Sequence, residues 1–107
     1  MAAKSLFLEM FGDTPLLKTI EFFLTYPDFD YTKSYVAKET GVSRVTIEKI
    51  WAKLAKTGII IKSRALGKIE MWKLNRTDPK VKVLMQTAVR LSFGYLESLK
   101  NKVAATA

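Results

Sequence analysis

The sequence predicts one α+β domain, mainly helical: three core helices and then a two-stranded β-hairpin, with a short helix before them and a long one after. Three observations predict it. Apolar residues recur at helical spacing through residues 4–24, 33–54 and 79–99; the stretch GIIIKSRALGKIEMWKLN is rich in β-branched residues around a glycine; and Gly12, Gly41 and Gly58 interrupt the helical runs. With 107 residues, a second core would leave each half too small to bury enough surface, so residues 1–107 are read as a single domain.

The elements follow in order. In KSLFLEMF, residues 4–11, Leu6, Phe7, Met10 and Phe11 mark one face of a short helix that Gly12 ends. Asp13 or Thr14 caps the next helix, Pro15 occupies its first position, where a missing N–H costs little, and the helix runs to Pro27 with Leu16, Ile20, Phe23 and Leu24 facing a core. DFDYT, residues 28–32, reads as a turn. Thr32 or Ser34 caps the helix of YVAKET, Gly41 permits a left-handed residue at its end, and Ser43 caps the helix of RVTIEKIWAKL. The hairpin spans 59–74, with Arg64 and Lys68 near its tip. Asp78 and Pro79 then open a helix to about Lys102, striped by Val81, Leu84, Ala88, Leu91 and Tyr95 and extended by Met85 and Leu99.

Composition narrows the chemistry. The chain has no Cys and no His, which removes disulfides, thiolate nucleophiles, the usual zinc ligands and the side chain most used for proton transfer near neutral pH. No enzyme, metal or cofactor is expected. Glu9 interrupts the apolar N-terminal run and no apolar stretch approaches a membrane span, so a soluble, cytoplasmic protein is expected, with no membrane partner. The formal charge is +8, and its placement is uneven: residues 1–30 sum to −3, residues 31–80 to +8 and residues 81–107 to +3. A basic excess concentrated in the middle is the electrostatic footprint of a polyanion binder.

Projected as a helix, residues 44–56 place Ile47, Ile50, Trp51 and Leu54 on one side and Val45, Lys49, Lys53 and Lys56 around the other, with Arg44 and Thr46 in the first turn. One side is core. The other suits the major groove of B-form DNA, which is wide enough to admit a helix. Trp51 and Trp72 both point inward in this pattern and are assigned to the core.

These residues resemble a winged helix-turn-helix of the kind found in small archaeal regulators and the MarR and ArsR-like superfamily. Val36 and Ala37, Gly41, Val42, Ile47 and Ile50 carry the resemblance, and GIIIKSRALGKIEMWKLN matches the wing; Thr40 departs from it, where the motif prefers a hydrophobic residue. The resemblance implies a core of residues 13–76, an N-terminal helix over 1–12 and a dimerisation helix over 78–102. It implies that Ser43, Arg44, Val45, Thr46 and Lys49 read base edges, that Lys33, Lys53 and Lys56 touch phosphates, with Ser34 beside them, and that Arg64 and Lys68 reach the adjacent minor groove or backbone. It also implies a homodimer, built by the stripe of the last helix with Leu6, Phe7, Met10 and Phe11. Two recognition helices would then meet successive major grooves about 34 Å apart.

The function expected from this is sequence-specific binding of double-stranded DNA by a homodimeric, nucleoid-associated transcriptional regulator, acting as a repressor by occupying a promoter. Two alternatives stand beside it: an architectural DNA-binding protein of low specificity, and a winged-helix module that binds other proteins. A pocket between long helices could hold a small effector, but no residue pattern marks one.

Overall fold

The computed structural model describes residues 6–91, with side chains from Leu8 onward. The elements are α1 (Leu6–Phe11), α2 (Pro15–Thr25), α3 (Lys33–Thr40), α4 (Arg44–Lys56), β1 (Ile60–Leu66) and β2 (Ile69–Leu74), followed by α5, helical over 79–91. The helices of α2, α3 and α4 pack around one core, and the hairpin closes it from the side.

Each helix of that core starts on a hydroxyl cap. Thr14 Oγ1 accepts from the Leu17 N–H at 3.3 Å, Thr32 Oγ1 from the Tyr35 N–H at 3.1 Å, and Ser43 Oγ from the Thr46 N–H at 3.3 Å. These bonds satisfy N–H groups that a helix cannot satisfy itself, which is why hydroxyl residues stand at all three starts. α3 ends at Gly41 with φ 74°, a left-handed conformation that costs an L side chain about 1–2 kcal/mol. Two residues later Ser43 caps α4, so the direction of that helix is set by this one glycine.

The core consists of Ile20, Phe22, Phe23, Val36, Val42, Ile47, Ile50, Trp51, Leu54, Ile60, Leu74 and Val81, all buried. α4 contributes the largest share, through Ile47, Ile50, Trp51 and Leu54. The Trp51 ring meets Phe23 at 5.7 Å between centroids and Trp72 edge-on at 6.1 Å, arrangements that aromatic quadrupoles favour. Thr19, not foreseen as core, is fully buried on α2; its hydroxyl donates to the Pro15 carbonyl at 2.8 Å, which removes the penalty of burying it.

β1 and β2 pair antiparallel from Ile60 opposite Leu74 to Leu66 opposite Ile69, leaving Gly67 and Lys68 as a two-residue turn. Gly67 has φ 64° and Lys68 a negative φ, the pattern of a type II′ turn with glycine at its first central position. A bulge at Ser63 shifts the register between Lys62 opposite Trp72 and Arg64 opposite Met71. The root of the hairpin is anchored in the core by Ile60 and Leu74, while its tip is exposed.

The segment read as a plain turn before α3 does more than turn. Tyr31 donates its N–H to the Trp72 carbonyl at 2.7 Å and accepts from the Trp72 N–H at 2.8 Å, adding a one-residue strand to the edge of β2. This ties the wing to the start of α3.

α5 opens as expected, with Asp78 Oδ1 accepting from the Lys80 N–H at 2.8 Å. Its stripe, however, is largely taken up inside the protomer. Val81 is fully buried in the core, and Leu84, Met85 and Leu91 pack half-buried against it, so Val81 is corrected from a dimerisation residue to a core residue. The reason is that the chain leaves β2 beside the open edge of the core, and the first turn of α5 covers it. Ala88 is half-buried on the same side, whereas Val89 is exposed. In α1 the inward side chain is Leu8, and Met10 and Phe11 are exposed. The side chains of Leu6 and Phe7, together with Tyr95, Leu99 and the rest of the expected last helix, lie outside the described residues. Among the described residues no helix is long and apolar enough to cross a membrane.

The packing of α4 and the turn before it predict two measurable losses. Leu54→Ala should lower unfolding free energy by about 2–5 kcal/mol in denaturant titration, because it leaves a cavity in the core. Gly41→Ala should cost about 1–2 kcal/mol from the left-handed backbone alone, since a Cβ there would meet no atom within 4 Å. A loss below about 0.5 kcal/mol in either variant would contradict these assignments.

Candidate nucleic-acid interface

α4 presents its outward side without obstruction. Arg44, Val45, Glu48, Lys49, Ala52, Lys53 and Lys56 are exposed, and Val45 reaches 70% exposure. The helix has 13 residues, a length of about 20 Å, so its four basic side chains span a groove-sized surface. Lys53 and Lys56 stand in the last turn, where they also complement the negative end of the helix dipole.

The expected base-reading residues divide into two groups. Arg44, Val45 and Lys49 project freely. Ser43 and Thr46 are engaged with each other, because Ser43 Oγ caps the helix and lies 2.9 Å from Thr46 Oγ1. Their first role is therefore to hold the N-terminal turn that aims Arg44 and Val45.

The expected phosphate and wing residues are partly engaged as well. Lys33 crosses from α3 to α4 and pairs with Glu48 at 2.8 Å. Between these helices lies a cleft lined by Lys33, Ser34, Ala37, Arg44, Ile47 and Glu48, which brings Ser34, Lys33 and Arg44 to one place. Arg64 lies three residues before Gly67 rather than at the hairpin tip, and its Nε and Nη2 donate to the Asp30 carboxylate at 2.9 and 3.3 Å. Lys68 alone of the two occupies the turn. The wing carries two further bases, Lys62 and Lys73, both exposed, with Lys62 paired to Glu70 at 2.9 Å.

Asp30 is a junction that local patterns in the sequence did not mark. Besides Arg64 it accepts from Ser63 Oγ at 2.6 Å, so the bulge residue and its neighbour both hold the segment before α3. The Arg64 guanidinium, and then the Ser63 hydroxyl, keep the Asp30 carboxyl below its usual range, and Asp30 in turn raises Arg64. Lys62 likewise lowers Glu70, and Lys80 lowers Asp78. Tyr31 is raised, mainly by burial. Its ring stacks on Tyr35 at 5.8 Å and its hydroxyl donates to the Tyr26 carbonyl at 3.0 Å. Among the described residues no group of three or more His, Cys, Asp or Glu side chains gathers as metal ligands would.

Neither a protein-family model nor a curated protein matches this sequence. Solved structures do match in shape. A Lactococcus lactis ZitR variant superposes with a TM-score of 0.59 at 20% identity, over 79% of this chain and 60% of that one. Wild-type Lactococcus lactis ZitR, solved in complex with DNA, gives 0.56 at 17% identity over the same shares, 79% and 60%. A possible transcriptional regulator from Methanosarcina mazei Go1 gives 0.55 at 16% identity, over 84% of this chain and 75% of that one.

The fold is a winged helix-turn-helix. In its terms α3 and α4 are the helix pair, α4 is the second helix, and β1–β2 is the wing. The chain spans about 60% of the length of the ZitR chains it matches.

The Asp30 junction carries a pH prediction. A carboxyl held below its unfolded value adds stability that is present above the unfolded value, 3.8 for Asp, and is lost as pH falls through the folded value. Asp30→Asn should therefore unfold at lower denaturant concentration than the parent at pH 7, and the gap should close as pH falls from about 4 toward 2. A gap independent of pH would show that the Asp30 carboxylate contributes nothing through its charge.

Proposed function

We propose that this protein binds double-stranded DNA as a homodimeric transcriptional regulator, with α4 in the major groove and the wing along the adjacent minor groove or backbone. The observation that carries this reading is the two-sidedness of α4: its inward residues are all buried, while Arg44, Lys49, Lys53 and Lys56 stand exposed on the outward side of a fold with a turn and wing beside it. That Lactococcus lactis ZitR, similar in fold, was solved in complex with DNA supports the same reading.

In this arrangement Arg44 and Val45, at the N-terminal turn, meet base edges: the guanidinium pairs with guanine O6 and N7, and the valine methyls contact a thymine methyl. Lys49 reads or flanks the next step. Lys53, Lys56 and Ser34 contact phosphates, which fix register without reading sequence, and Lys33, paired with Glu48 in the free protein, stands beside them at the start of α3. Lys68 at the wing turn lies along the neighbouring groove, with Lys62 and Lys73 behind it. Arg64 serves this surface in part by bracing the wing against Asp30. Ser43 and Thr46 orient the reading turn.

The dimer surface falls on the side of α5 that the core leaves open. Met85, Gln86, Val89 and Arg90 line a shallow apolar depression there, while Leu84 and Leu91 pack against the core from the other side of the helix. Met10 and Phe11 of α1 supply further exposed apolar area. Pairing two copies would cover these side chains and set two recognition helices about one DNA turn apart. Repression by promoter occupancy is the mechanism that such a dimer performs without any further activity, and the protein is read as non-enzymatic and cytoplasmic.

Two experiments test this. Arg44→Ala should relax preference at one base pair and cost roughly 1–3 kcal/mol on the preferred duplex, whereas Lys53→Ala should weaken all duplexes alike and reduce the salt slope by about 1. Equal losses on every duplex from both changes would contradict base reading by Arg44. For assembly, Val89→Glu should convert a dimer to a monomer by sedimentation; a parent that sediments as a monomer, or a variant that stays dimeric, would remove this dimer surface.

A further inference from the structure

Glu48 is the one acidic residue in α4, and it stands on the side that also carries the exposed bases. A carboxylate facing a polyanion is repelled unless it finds a donor. In the free protein that donor is Lys33, 2.8 Å away across the α3–α4 cleft, with side-chain exposures of 36% for the lysine and 58% for the glutamate. Lys33 in turn sits at the first position of α3, beside Ser34. There a cation meets the positive end of the helix dipole, and an anion would be favoured. The pair thus holds together two groups whose better partners lie on DNA.

Resting on the DNA-binding reading above, we propose that Glu48 is the specificity-determining residue of this interface. On arbitrary duplexes it stays paired with Lys33. At the preferred sequence it releases Lys33 to a phosphate and accepts a hydrogen bond from the N4 amino group of a cytosine.

The base follows from groove chemistry. Only cytosine N4 and adenine N6 offer donors in the major groove, and adenine sets the N7 acceptor beside its donor, which repels a carboxylate. The register follows from the helix. Glu48 lies four residues beyond Arg44, on the same strip and about 6 Å along the axis, close to two base steps of about 3.4 Å. Arg44 on a guanine and Glu48 on a cytosine about two base pairs away therefore form one reading unit. Because the exchange adds one lysine–phosphate contact only at the right sequence, it couples base reading to electrostatic affinity.

The test is selection of bound duplexes from a random pool with the full chain, followed by the salt dependence of binding to the selected and to scrambled DNA. The parent should select cytosine about two base pairs from the Arg44 guanine, and its log–log salt slope should be steeper on selected than on scrambled DNA by about 0.9, one phosphate contact. Glu48→Gln should lose the cytosine preference by about tenfold and steepen the slope on scrambled DNA by about 0.9, since Lys33 is then free. Glu48→Ala should behave alike, and Lys33→Ala should flatten the slope on selected DNA only. A folded Glu48→Gln variant that keeps the parental consensus and slopes would overturn the assignment of Glu48 while leaving the DNA-binding reading intact. A parent that binds no duplex would overturn both.

Discussion

The burial of one side of α4 is the constraint on which the rest of the molecule depends. Ile47, Ile50, Trp51 and Leu54 are all inside, and taking each such side chain out of water contributes about 1.5–3 kcal/mol. Rotating the helix by a single residue, about 100°, would expose these groups and drive lysines into the core. The helix is therefore locked in azimuth, and apart from the Glu48–Lys33 pair its outward side has no structural duty. That is the condition for a surface whose composition serves a partner.

Two further features fix where this surface lies. Gly41 sets the angle at which α4 leaves α3, because its left-handed backbone ends one helix two residues before Ser43 starts the next. The wing is set by Tyr31, which pairs with Trp72 through two backbone hydrogen bonds, and by Asp30, which holds Ser63 and Arg64. Trp72 also packs edge-on against Trp51. The wing is thus tied to the helix pair twice, to the start of α3 through backbone bonds and to α4 through a ring contact, and a two-stranded hairpin that would be marginal alone becomes a fixed part of the fold.

Much of this was legible because it is local. The Gly41 break, the hydroxyl caps at Thr32 and Ser43, the inward stripe of α4 and the hairpin turn at Gly67 are each written within a few residues. What the sequence did not show depends on residues far apart in the chain. A one-residue strand at Tyr31 has no period to detect. The Asp30–Arg64 pair joins residues 34 positions apart and Lys33–Glu48 joins residues 15 apart, so Arg64 and Lys33 looked like free bases until their partners were seen. Val81 illustrates the converse: its helical stripe was visible, but whether that stripe covers the protomer's own core or another copy is decided by where β2 delivers the chain.

The ionic pairs also bear on how the surface works. Arg44, Lys49, Lys53 and Lys68 are basic groups without a bracing role in the fold, whereas Arg64 and Lys62 are committed to carboxylates that organise the wing. A polyanion would therefore meet a surface already held in shape, so that little ordering is needed on contact. The most direct test of the central claim is to map backbone amide shifts by NMR on titration with a duplex selected from a random pool. The account predicts that shifts concentrate in residues 43–56, at the start of α3 and around the Gly67 turn, and that exposed residues of α2 stay still. Shifts confined to other surfaces, or the failure of every duplex to bind, would contradict it.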